Sequence, residues 1–85
     1  MATVNDMHPG ERAIIKSVMG NGSLHQRLRE MGLMEGFSIE FIRSAPLGDP
    51  LEVLIQDYYL SIRRAEAALI EIHNEAALEP ALAET

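Results

Sequence analysis

Residues 36–62 read GFSIEFIRSAPLGDPLEVLIQDYYLSI, and their pattern decides the fold. Phe37, Ile39 and Phe41 alternate with Ser38, Glu40 and Ile42. Leu51, Val53 and Ile55 alternate with Glu52, Leu54 and Gln56, and Leu60 and Ile62 with Tyr59, Ser61 and Arg63. Successive side chains of an extended chain point to opposite faces, so each run is a strand with one buried face. Asp57-Tyr58 is the predicted tight turn between the last two runs. Between the first two lies Ala45-Pro46-Leu47-Gly48-Asp49-Pro50. Its two prolines restrict themselves and the residues before them, Gly48 permits positive φ, and Asp49 bonds nearby backbone N–H groups. The segment reads first as a rigid strand connection and, compatibly with that, as a pre-shaped exposed loop that a partner binds at little entropic cost. It lacks the glycines and Lys of a phosphate-cradling loop.

Upstream the period becomes helical. Leu24, Leu28 and Met31 fall at i, i+4 and i+7 on one helical face. Ser23 and Gln26 fit a capping box. Gly32 stands where a left-handed C-cap residue is needed, and Leu33 can fold back on the last turn. A helix this short is marginal alone, so its apolar stripe must dock. Before it, residues 11–19 hold Ala13, Ile14, Ile15 and Val18, a strand whose imperfect alternation leaves its buried face open. Gly20-Asn21-Gly22 stops that strand. After residue 63, an Ala- and Glu-rich stretch at 64–68 suits a single helical or 3₁₀ turn, and Ile70 and Ile72 mark a last strand over 69–73. The expected fold is mainly β: a small barrel of about five antiparallel strands, with a short α-helix between the first two. Closure removes exposed sheet edges.

The chain has 85 residues, which predicts one domain with one thin core. It has no cysteine, hence no disulfide and no thiolate metal site. Residues 1–10 contain Asp6 and Pro9 and no apolar run, and no stretch reaches the ~18 apolar residues of a membrane span, so a cytoplasmic protein is expected. The net charge of −6 argues against nucleic-acid binding, which needs clustered Lys and Arg. All seven basic side chains lie in residues 1–64 with eight of the thirteen acids; residues 65–85 carry the other five acids and no base. A domain over 1–75 and an acidic tail over 76–85, either disordered or a short helix, are expected.

Catalytic and metal chemistry find no support. His8, His25 and His73 are scattered without ligand spacing, and no Ser-His-Asp or Cys-His set can be assembled. No metal ligand and no cofactor is assigned. The five Met residues suit core packing. Arg27 borders the apolar helix stripe, where its stem can lie on the core while its guanidinium pairs with a carboxylate. The expected carboxylate is Asp49, which would tie the helix to the loop.

These segments together resemble the FeoA family. The matching residues are Pro9-Gly10-Glu11, Arg27-Leu28-Arg29-Glu30-Met31-Gly32-Leu33, Gly36, the loop Ala45-Pro46-Leu47-Gly48-Asp49-Pro50, Leu60-Ser61-Ile62-Arg63, and Ala67 with Ile70. The resemblance implies an SH3-like barrel. It also implies an accessory role in bacterial ferrous iron uptake, binding the cytoplasmic region of FeoB, a membrane transporter with a GTPase domain, and meeting the membrane only through it. The expected contact surface is Arg27, Arg29, Met31, Gly32 and Leu33 with Ala45, Pro46, Leu47, Gly48, Asp49 and Pro50. The C-terminal domain of iron-dependent DtxR-type repressors looks similar, so an SH3-like regulatory or peptide-binding module is the alternative. A peptide groove would need aromatics, and Phe37, Phe41, Tyr58 and Tyr59 are available, the two Phe as core residues. A chain beginning at Met1 with no helix-turn-helix is expected to be free-standing rather than a regulator fragment. An enzyme is not expected, because no convergent catalytic set can be named.

Overall fold

The computed structural model describes residues 2–20 and 22–74. Asn21 and the acidic tail lie outside them. Five strands form one antiparallel sheet: β1 (Arg12–Val18), β2 (Ser38–Ser44), β3 (Leu51–Ile55), β4 (Tyr58–Ile62) and β5 (Ile70–Asn74). Helix α1 (Gly22–Glu30) lies between β1 and β2, α2 (Arg64–Ala67) lies between β4 and β5, and a 3₁₀ turn (Val4–Asp6) precedes β1. This is the mainly β architecture with one short helix after the first strand that the alternation predicts.

Two bulges explain where the alternation slips. Ile15 pairs with Ile72 but Ser17 pairs with Glu71, which leaves Lys16 as an extra residue in β1. A bulge resets which face the following residues present. Ala13 and Ile15 are therefore buried two apart, and Val18 packs against the core three further on. In β2 the shift falls between Phe41 and Arg43, at Ile42. Ile39 and Phe41 face Ile55 and Val53 across the β2–β3 ladder, and all four are buried.

The sheet order is β4-β3-β2-β1-β5, so β4 and β5 end the ladder. Among the described residues no ladder joins β4 to β5. α2 carries the chain from β4 to β5, with Ala67 fully buried. α1 is tied to both ends of that stretch: the Tyr58 hydroxyl donates to the Met31 carbonyl at 2.7 Å, and Arg27 reaches Glu66 at 3.1 Å.

α1 ends as the sequence predicts. Gly32 has φ of 94°. Its N–H donates to the Arg29 carbonyl, and the Leu33 N–H to the Leu28 carbonyl at 3.2 Å, the double bond of a Schellman cap. Leu28 and Leu33, which this cap brings together, are both fully buried. Removing one such leucine from water stabilises the fold by about 2 kcal/mol. The start of α1 differs from expectation. Ser23 is already the second helical residue, and Gln26 Nε2 donates to Glu30 Oε2 at 3.2 Å instead of reaching back. The β3–β4 turn is also one residue earlier than expected: Ile55 pairs with Tyr58, so Gln56-Asp57 make the turn. Gln56 takes positive φ there, and its backbone N–H and side-chain Oε1 both bind Ser38 at the head of β2.

Candidate functional site: a rigid loop clamped by Arg64

The loop between β2 and β3 is closed on itself by two backbone bonds. Ala45 N donates to Pro50 O at 2.9 Å, and Gly48 N to Ala45 O at 2.7 Å. The second makes a β-turn with Pro46 and Leu47 at its centre, and Pro suits the first central position because its φ is preset. The Asp49–Pro50 peptide is cis. At the tip, Leu47 is 97% exposed, far beyond any other large apolar residue described. A leucine held on a closed turn with nothing covering it is a knob available to a partner.

Arg64 fastens the loop to the body. The backbone N–H of Arg64, at the head of α2, donates to Asp49 Oδ1 at 3.1 Å. Its Nε donates to the Gly48 carbonyl at 2.7 Å. Its Nη1 donates to Asn5 Oδ1 at 3.0 Å and lies 3.4 Å from the Asn5 carbonyl. α2 is in turn held by Glu66, whose Oε1 accepts from the Arg63 N–H at 2.8 Å. The other carboxylate oxygen, Oε2, is buried and accepts no well-directed hydrogen bond. The Arg27 guanidinium at 3.1 Å supplies the opposite charge there, while its own side chain stays 62% exposed.

The expected tie between Arg27 and Asp49 is thus corrected. Arg27 does pair with a carboxylate, but with that of Glu66, and Asp49 serves the Arg64 backbone. Helix and loop are joined all the same, through α2. Leu33 leaves the contact surface, because it is wholly buried. Met31 and Gly32 are half-buried beside Tyr58 and serve the helix seat. Arg29 stands two residues from Arg27, about 200° around the helix, and so faces elsewhere. With Val18, His25, Leu33, Met34 and Glu35 it lines a hollow of about 230 Å³. The aromatics do not converge on a peptide groove. Phe41 is core, Phe37 is half-buried, the Tyr58 hydroxyl is engaged with α1, and Tyr59 points from the opposite face of β4. Among the described residues no three His, Asp or Glu stand close enough to hold a metal ion, and no helix is long and apolar enough to cross a membrane.

Sequence reasoning missed Arg64 and Glu66. One signal was present: Glu66 lies three residues after Arg63, the spacing at which a glutamate caps the start of a helix.

Sheet, short helix and closed loop define a class, a small SH3-like domain with an apolar side chain, Leu47, exposed at the tip of its β2–β3 loop. The chain belongs to the FeoA family, since the FeoA domain model matches residues 2–74. It is 41% identical over 69 residues to an Fe(2+) transport protein A/Fe(2+) transporter FeoB fusion protein of Porphyromonas gingivalis, an alignment covering 81% of this chain and 8% of the fusion protein. The solution structure of iron(II) transport protein A from Clostridium thermocellum superposes with a TM-score of 0.83 at 36% identity, covering 88% of this chain and 46% of that one. FeoA of Stenotrophomonas maltophilia, described as a procaryotic SH3 domain protein and solved with zinc, gives 0.75 at 26% identity, covering 91% and 93%. ScaR, solved with bound Zn2+, and the manganese regulator SloR share the fold alone, at 18% and 17% identity and TM-scores of 0.76 and 0.72.

Proposed function

We propose that this chain is a cytoplasmic accessory domain of ferrous iron uptake, a binding module and not an enzyme, that docks on the cytoplasmic region of a FeoB-type transporter. The observation that carries the partner is the fusion relative, in which a domain similar to this one and a FeoB transporter are one polypeptide. The observation that carries the surface is Leu47, an apolar side chain left 97% exposed on a turn closed from within and fastened from outside. Docking can change the transporter's nucleotide turnover only if one state of the GTPase is bound more tightly than another.

The test is a pull-down of the transporter from cell membranes with and without guanine nucleotide, followed by affinity measurement on the purified pair. Leu47→Ala is expected to raise Kd about tenfold, the loss of roughly 1.4 kcal/mol of apolar contact. Its unfolding midpoint should match that of the unsubstituted protein, because Leu47 touches nothing it stabilises. Wild-type affinity in the folded variant would remove the loop from the docking surface.

A further inference from the structure

We propose that Arg64 is the positioning residue of the docking loop, setting the direction in which Leu47 is presented. The inference rests on the docking reading above. The two bonds within the loop close it but do not fix its tilt against the sheet. Two contacts that hold it there come from Arg64: its N–H to Asp49 Oδ1 and its Nε to the Gly48 carbonyl, one residue from Leu47. The same guanidinium is braced from behind by Asn5 through Nη1. A planar guanidinium holds its N–H vectors in fixed relation, so bracing one side fixes the other. The base of this strut is anchored as well, because Glu66 and Ala67 of α2 are buried and the Glu66 carboxylate caps the helix on the Arg63 N–H. Arg64 is half-buried and makes no ion pair among the described residues; its donors go to carbonyls, one amide oxygen and, from the backbone, one carboxylate. A partner therefore meets a loop already ordered and avoids the entropy of ordering it. Lysine, a point charge on a flexible stem, has no fork with which to hold Gly48 and Asn5 at once.

Amide hydrogen exchange on the full chain without partner, and Kd for the purified FeoB-type transporter, test this together. In Arg64→Lys the Ala45 and Gly48 amides, both bonded within the loop, should exchange at least tenfold faster while β1 and β3 amides hold their rates. Affinity should fall about tenfold. Asp49→Ala, which removes one strut and leaves Arg64 in place, should move both readouts in the same direction by less. Ile70→Val, a core change in β5 at a residue that makes no hydrogen bond to the loop, should move neither. Unchanged loop exchange in Arg64→Lys, or faster exchange with wild-type affinity, overturns the positioning role while the docking reading stands. Wild-type affinity in Leu47→Ala is the distinct result that overturns the docking reading and this proposal with it.

Discussion

Gly32 carries two constraints that a sequence shows as one. Its φ of 94° belongs to the left-handed region, which only glycine enters without a Cβ penalty. A Cβ there would also meet the Tyr58 hydroxyl, which is fixed by its bond to the Met31 carbonyl. Gly36 supplies the control, with φ of 87° and nothing within 4 Å of an added Cβ. Gly36→Ala should therefore cost about 1 kcal/mol, the conformational penalty alone. Gly32→Ala should cost about 2–3 kcal/mol, since the steric conflict adds to it. Urea denaturation of both variants separates the terms. Adding Tyr58→Phe to Gly32→Ala should restore part of the loss, although Tyr58→Phe alone removes a hydrogen bond and costs about 1 kcal/mol. Equal costs at the two glycines would show that Tyr58 yields freely and does not seat the helix.

Among the elements, the helix seat shows how far patterns reach. The apolar stripe of α1, its glycine cap and the period-two runs of β2 and β3 are local regularities, and each was legible in the sequence. The bulge at Lys16 was not, because an extra residue looks like noise in an alternation until its partner strand is known. The partner of Arg27 was misread for a related reason. Asp49 and Glu66 are both acids downstream, and choosing between them needs the position of α2, which depends on long-range packing. Leu33 illustrates the same gap at the site. A residue after a helix cap reads as surface or core equally well, and only the folded-back cap makes it core. The Arg27–Glu66 contact is testable through its asymmetry. Arg27→Ala leaves a buried carboxylate oxygen without its counter-charge and should cost about 1–2 kcal/mol, less than for a fully buried pair because Arg27 is largely solvated. Glu66→Gln keeps an oxygen for the Arg63 N–H, so Arg27→Ala should cost much less in that background. Thermal denaturation of the four proteins in this cycle reads the coupling, and additivity would mean that the ion pair contributes nothing to the seat.

Taken whole, the molecule is held together partly by a segment whose sequence shows no core pattern. Residues 1–10 show no apolar run, yet Val4 is fully buried and Met7 is 6% exposed. In a 3₁₀ turn residues i and i+3 lie one above the other, so two isolated apolar residues at that spacing make a small hydrophobic face. The turn is capped by Thr3 and Asp6, where the Thr3 N–H donates to Asp6 Oδ2 at 2.9 Å. It is joined to the far end of the chain, since Thr3 bridges to Glu71 and the Ile72 N–H donates to the Ala2 carbonyl at 3.0 Å. This segment covers the outer side of β5, an edge that would otherwise offer unpaired backbone groups to another chain. Asn5, between the two buried residues, braces Arg64 and through it the β2–β3 loop. The start of the chain, the last strand and the candidate surface are thus one mechanical unit. Val4→Ala should therefore cost about 2 kcal/mol and lower Tm by roughly 8–15 °C, more than its place near a terminus suggests. His8→Ala, whose side chain is 80% exposed, should stay within about 0.5 kcal/mol of the unsubstituted protein. Calorimetry of the pair settles whether the turn is structural. If the turn is part of the same unit, loop amide exchange at Gly48 should also quicken in Val4→Ala, whereas an unmoved Tm would mean that Val4 is dispensable and the segment merely adjacent.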